Sequence, residues 1–195
     1  GILMHITSLP APYGIGTMGK DAYAFVDFLV RAGQRYWQIL PLTPTGYGDS
    51  PYQSLGACAG NHYLIDLDRL ADEGLLKKEE IQNIPWGSNP ARVDFGAMYA
   101  HRMNVLRQAF QRFTPDGAYE TFVEQNRSWL EDYALFMSLK DLHQGRSWHE
   151  WSPQYQVLDA RTRKAALTEL TDSITYYQFI QFIFFKQWHE LKLYA

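Results

Sequence analysis

A chain of 195 residues, 46% hydrophobic and 20% charged, lies in the range of one globular domain and can bury a sizeable core. Its net charge of -3, with both signs interspersed, gives no electrostatic footprint for nucleic acid or an anionic membrane surface, so neither is expected as a partner. Cys58 is the single cysteine, which excludes an intramolecular disulfide and a cysteine-based metal cage and fits a reducing, cytoplasmic setting. No apolar run approaches the ~20 residues that span a bilayer. The first residues lack the basic-then-apolar pattern of a secretory signal, and the start at Gly1 leaves a removed leader open.

Taken in order, residues 1–7 (GILMHIT) read as a short buried strand, closed by Ser8-Leu9-Pro10. After a loop rich in Pro and Gly, the spacing of Ala22, Phe25, Val26, Leu29 and Val30 predicts a one-faced helix over 20–31, with Gly33 as its stop. Residues 36–42 (YWQILPL) form a second apolar run, too short for a helix and again closed by Pro. Strand, helix, strand implies a right-handed βαβ unit with parallel strands. Residues 43–66 then form a segment dense in Gly, Pro, Ser and Tyr, longer than the ordinary loop of ~2–6 residues between a strand and a helix.

Short helices are expected over 67–74 and 77–82, with an irregular turn over 86–90. Apolar residues at three- and four-residue intervals predict a helix over 96–113, among them Met98, Tyr99, Leu106 and Ala109, and another, continuous one over 119–142. A basic, polar stretch over 161–171 leads into a last helix starting near Asp172 or Ser173. Residues 176–188 (YYQFIQFIFFKQW) are apolar on nearly every face, the pattern of a helix buried on several sides. In a parallel sheet such a helix should lead into a third strand, so the chain, which ends at Ala195, is expected to stop short of one.

Gly14, Gly16 and Gly19 spell G-x-G-x-x-G, but Ser8 to Tyr13 separate the motif from the strand, and the second strand ends in Pro41-Leu42 where an acidic residue should hold a ribose. A dinucleotide site is therefore not expected. None of the six histidines share the i, i+4 spacing of metal ligands on one helix face, so neither metal nor cofactor is called for. His5 reads as a hydrogen-bonded strand histidine. Carboxylate pairs occur at Asp66 with Asp68, Glu79 with Glu80, Glu120 with Glu124 and Glu131 with Asp132; most fall on predicted helices as solvated faces. The long segment is the strongest functional feature, because Tyr47, Asp49, Ser50, Tyr52, Gln53, Asn61 and Tyr63 set rings beside hydroxyls, a carboxylate and amides. Rings that stack on C–H faces next to hydrogen-bonding groups suit a sugar ligand. The same composition equally serves a loop folded on itself by tyrosine hydroxyls.

Six blocks, GILMHITSLPAPYGIG, GQRYWQILPLTPTGYGDSPYQS, AGNHYLIDL, RVDFGAMYAHR, WLEDYALFMSLK and FFKQWHELKLYA, together cover the chain in order. They resemble the amino-terminal part of the amylomaltases, or disproportionating enzymes, the 4-α-glucanotransferases of glycoside hydrolase family 77. The resemblance implies an α/β fold, here a partial TIM (β/α)8 barrel represented by its first two strands with a mostly helical insertion after the second. It divides the chain into a first βαβ unit (1–46), an active-site loop and helical insertion (47–171) and a barrel helix leading to the absent third strand (172–195). It also implies a retaining double displacement that passes a segment of α-1,4-glucan to the 4-hydroxyl of another sugar, with maltooligosaccharides as ligands and glucose as an acceptor. The family's catalytic carboxylates lie on later barrel strands, so they are expected beyond Ala195: no catalytic residue is expected within the chain, which alone should be inactive. What the resemblance carries over is binding: Tyr52 resembles the ring that packs against the donor sugar, Ser50 lies beside it, and Tyr47 resembles the aromatic of an additional glucan-binding surface. Asp49, Gln53 and Asn61 support them. Leu55, Gly56 and Cys58 depart from the Phe and Ser common in relatives. A non-catalytic glucan-binding module remains the alternative, and a structural piece that associates through its apolar last helix is a third.

Overall fold

In the computed structural model, which describes residues 1–46, 48–89 and 91–195, the first apolar run forms a strand of only two residues, β1 (Ile2–Leu3). It pairs in parallel with β2 (Trp37–Gln38), Ile2 opposite Trp37 and Leu3 opposite Gln38. The parallel βαβ order is thus as expected, but the strand is not buried: Ile2 is 37% and Leu3 58% exposed. The reason is that β1 meets β2 alone among the described residues, and at His5 the chain leaves the strand for a single 3-10 turn, Ile6–Ser8, which takes Ile6 into the core. His5 Nδ1 accepts a hydrogen bond from Leu40 N (3.3 Å), and burial lowers its pKa, so the ring is a neutral acceptor that ties the two strand ends together.

Helix α1 (Lys20–Arg31) buries Ala22, Val26 and Leu29, while Val30 is 68% exposed. It stops where Gly33 takes a left-handed φ of 65° and Gln34 N donates to Leu29 O (2.9 Å), an arrangement that satisfies the last carbonyls and that glycine adopts without strain. Asp66 caps α2 (Leu67–Asp72), and α3 (Lys78–Gln82) follows. Asp94 caps α4 (Phe95–Arg112), which buries Met98, Val105, Leu106 and Ala109. Tyr99, grouped with that apolar stripe from its spacing, is instead 77% exposed.

Two further expectations are corrected. The helix expected over 119–142 is two, α5 (Gly117–Gln125) and α6 (Arg127–Leu142), divided at Asn126. No Gly or Pro marks this break. Asn126 leaves helical geometry and holds the corner with its own side chain, Nδ2 donating to Phe122 O (2.8 Å) and Oδ1 accepting from Trp129 Nε1 (3.1 Å). After the short α7 (Pro153–Gln156), the polar stretch is itself a helix, α8 (Ala160–Glu169), started by Asp159, whose side chain accepts from Thr162 N (2.7 Å). Helix α9 (Thr171–Tyr194) buries Tyr176, Tyr177, Phe179, Ile180, Ile183 and Phe184, in accord with its all-round apolar sequence. Ala195 follows it, exposed, with its N–H donating to Leu191 O (3.1 Å) in continuation of the last helical turn.

The chain divides into two compact units, one of residues 1–114 and 183–195 and one of residues 115–182. In the second, Tyr177 donates from its hydroxyl to Asp141 (2.6 Å), and the rings of Tyr119 and Phe122 meet Phe182 at 5.5 and 5.7 Å. Those functional residues singled out from the sequence that are described, Asp49, Ser50, Tyr52, Gln53 and Asn61, belong to the first.

Candidate functional site

The segment after β2 opens with a small hairpin. Thr45 and Ser54 form an antiparallel bridge, Gly46 N donates to Gln53 O (3.2 Å), and Gln53 N donates to Ser50 O (3.1 Å). Thr43 Oγ1 closes one side on Pro51 O (3.3 Å). The tip turns because Gly48 and Asp49 both take positive φ, 98° and 57°; a short acid tolerates this region better than most non-glycine residues. These bonds are all local, so the tip is held by backbone and leaves its side chains outward. Tyr52 is 74% exposed, Gln53 is exposed, and Ser50 and Asp49 are half-buried. The hairpin therefore brings Asp49, Ser50, Tyr52 and Gln53 onto one tip, while Tyr47 lies outside the described residues. Partial burial raises the Asp49 carboxyl pKa.

Asn61 is placed differently. It is 5% exposed, its backbone N–H closes the segment on Leu42 O (2.7 Å), and its Oδ1 accepts from Tyr63 N (2.9 Å) to start a 3-10 turn, His62–Leu64. Its position makes it a brace under the hairpin rather than a surface contact. Below this turn lies a charge that the helical pattern of α4 did not single out. Arg102 is fully buried, and its Nη2 donates to Tyr63 O (3.0 Å) and to Ile65 O. Its guanidinium also sits 5.9 Å from the Trp86 ring centroid. Desolvation pushes Arg102 down to about 10, with Asp66 opposing that shift. Desolvation and then the Arg102 charge push His62 down to about 3, and burial followed by the Asp49 charge holds the Tyr63 phenol at about 12. One signal for Arg102 was present in the sequence: it shares the helical stripe of Met98, Val105, Leu106 and Ala109, where a charge requires buried partners.

Asp66 anchors the far end of the turn. Its Oδ2 accepts from Thr17 Oγ1 (2.6 Å), its Oδ1 from Arg69 N (3.0 Å), and its backbone N–H donates to Gln187 Oε1 (2.7 Å). The three glycines of the G-x-G-x-x-G string serve the same packing. A Cβ at Gly19 would stand 2.0 Å from Asp66 Oδ2, one at Gly16 1.9 Å from Ile6 O, and one at Gly14 2.5 Å from Trp86 O. They permit close approach of backbone and side chain within the fold.

With this geometry established, comparison with known proteins is decisive: the family model for 4-alpha-glucanotransferases matches residues 4–195. The chain belongs to that family. A 4-alpha-glucanotransferase of Streptococcus pneumoniae is 47% identical over 203 residues, which take in 100% of this chain and 39% of that protein. One from Thermus thermophilus is 46% identical over 198 residues, 98% of this chain and 39% of the relative. Among solved structures, the amylomaltase from Streptococcus agalactiae in complex with acarbose superposes with a TM-score of 0.95 at 43% identity, over 100% of this chain and 40% of that one. The chain thus spans about two fifths of the length of the relatives it matches.

In a member of this glucanotransferase family, what the carboxylate pairs contact bears on whether they could do chemistry. Asp66 caps α2, and Asp68 accepts from the Tyr13 hydroxyl at 2.6 Å. Glu80 forms a two-pronged pair with Arg112 (2.7 and 2.5 Å) that holds its carboxyl at about 2. Arg163 bridges Glu131 (2.6 Å) and Asp132 (2.7 Å). Glu124 lies 3.9 Å from Arg127, so each of the four pairs has at least one member engaged in a structural contact.

Proposed function

We propose that this chain is the first part of a cytoplasmic 4-α-glucanotransferase that moves segments of α-1,4-glucan onto the 4-hydroxyl of an acceptor sugar, glucose among them, by a retaining double displacement. In this reading β1, α1 and β2 begin a (β/α)8 barrel over residues 1–46, residues 47–171 are the active-site loop and helical insertion, and residues 172–195 lead back towards the barrel. The observation that carries it is the hairpin after β2 in a member of this family: a backbone-held tip that presents Tyr52 74% exposed beside Ser50 and Asp49. An exposed ring held without side-chain restraint stacks on a pyranose C–H face, while hydroxyl and carboxylate neighbours take its hydroxyls. Acarbose in the Streptococcus agalactiae relative supports a ligand of this class.

The catalytic carboxylates belong, in this reading, beyond Ala195 and not among the residues of this chain. The engagement of Asp66, Asp68, Glu80, Glu131 and Asp132 in structural contacts supports that assignment, because a nucleophile and an acid must both be free to face the scissile bond. So does the match of the whole chain to only about two fifths of its relatives, which leaves most of their length to hold the catalytic pair. Incubation of the 195-residue chain with maltotriose should release no glucose above a Tyr52→Ala control. Release above that control would show that a catalytic pair lies at or before Ala195.

A further inference from the structure

A groove of about 810 Å³ runs between two walls of the first unit, residues 7–12 and 14–16 after β1 and, before and into α4, residues 86–89 and 91–93 with Phe95. That size is within the ~300–1,000 Å³ of small-ligand sites. Because β1 and β2 are parallel, the loop forming the first wall leaves the sheet at the same end as the Tyr52 hairpin. The walls are joined and stiff. Gly14, at a φ of 80°, lies so close to Trp86 that a Cβ would stand 2.5 Å from its carbonyl oxygen. The Trp86 indole donates to Ile81 O (2.8 Å) and meets the Tyr13 ring edge-on at 6.1 Å. Pro10 and Pro12 fix their own φ in the opposite wall. A ligand entering such a groove loses little to ordering of the protein.

We propose that this groove is a second glucan contact, in which Pro10 and Phe95 meet the C–H faces of a sugar chain while Ser8, Asn89 and Arg92 bond its hydroxyls. The inference rests on the glucanotransferase reading for the nature of the ligand, and on the groove for its place. Asn89 Oδ1 is engaged by Ala91 N (2.9 Å), which leaves its amide N–H groups to donate. Arg92 is exposed, with no side-chain bond or ion pair among the described residues. Among the described residues its guanidinium is the one charged side chain lining the groove, and no carboxylate lines it. A phosphorylated ligand would call for more than one cation, and a protein segment for a more continuous apolar floor. Alternating hydroxyl, amide and apolar surface is what a neutral oligosaccharide complements.

The test is a titration of the 15N-labelled 195-residue chain with maltoheptaose, with amide shifts followed residue by residue. Saturable shifts are expected at Ser8, Asn89 and Arg92, and the double variant Asn89→Ala, Arg92→Ala should weaken that response at least about fivefold per lost bond while leaving the hairpin response of residues 48–54 in place. Tyr52→Ala should do the converse. Hairpin shifts without groove shifts, or a groove response unchanged in the double variant, would overturn the groove alone. Groove shifts without hairpin shifts would overturn the Tyr52 contact and leave the groove standing, and silence at both would end both. Shifts at the groove with inorganic phosphate at lower concentration than with maltoheptaose would show an anion site and overturn the proposal.

Discussion

Between Thr45 and Ser54 the segment after β2 holds itself by bonds among near neighbours and leaves Tyr52 74% exposed. Between Asn61 and Asp66 the same segment is bound to residues as remote as Thr17, Arg102 and Gln187, and its members are mostly buried. The difference separates presenting a side chain from fixing where it is presented. A tip that bonded its side chains inward would have nothing to offer a ligand, and a base bonded only locally would let the tip wander. Stability should therefore concentrate in the base, and ligand contact in the tip.

The strongest way to break this contrast is Arg102→Met. Methionine fills much of the volume and removes the charge, but it leaves the carbonyls of Tyr63 and Ile65 without their donor in a buried site. Each orphaned carbonyl costs about 1–3 kcal/mol, and Asp66 loses a nearby opposing charge, so urea unfolding should show a loss of about 3–5 kcal/mol. A loss under about 1 kcal/mol would mean that the turn stands without Arg102, and the base would no longer differ from the tip.

A smaller effect should appear with pH. His62 and His5 both titrate below the ordinary histidine range, so the unfolded chain takes up protons near 6.5 that the folded chain refuses until lower pH. Protons bound by the unfolded state exceed those bound by the native state, and stability must rise with pH across that window. For His62 the window runs from about 3 to 6.5. His62 as a residue is only half-buried, so the contribution should be about 1 kcal/mol rather than what complete burial would give. Carboxylates such as Glu80 slope the same way at the acid end, and only a flatter curve in His62→Gln isolates the histidine. An unchanged slope between pH 4 and 6.5 would remove His62 from the account.

What can be read from the sequence follows the same division. Asp49, Ser50, Tyr52 and Gln53 can be grouped from the sequence because they are near neighbours in the chain, and the bonds that set them on one tip are equally local. Helix α1 and the apolar α9 are legible for the same reason, since period and stop signals lie within a few residues. The base is not. From the sequence Asn61 is a supporting residue of the loop, with no sign that it is buried and bonded to Tyr63 N, and no local pattern joins Asp66 to Thr17 and Gln187. The run around β1 suggests a buried strand, but an apolar run implies burial only when enough neighbours exist to supply it. The Asn126 corner escapes because its signal is a side chain bonded to its own backbone turn, without Gly or Pro.

The smallest expected stability change, and the sharpest test of the contrast, is Tyr52→Ala. The ring is 74% exposed and makes no side-chain hydrogen bond among the described residues, so its removal should shift the unfolding free energy by no more than about 0.5 kcal/mol. Its backbone N–H meets Ser50 Oγ at 3.4 Å, a contact the alanine retains. Glucan contact at the hairpin should nonetheless fall, because the stacking face is gone while the backbone turn that presents it is intact. Equal losses of stability and of maltoheptaose response would mean that the ring packs on the protein itself, the self-folded loop that composition alone allowed. A lost response at unchanged stability would fix Tyr52 as a contact residue and leave the work of holding it to Asn61, Arg102 and Asp66.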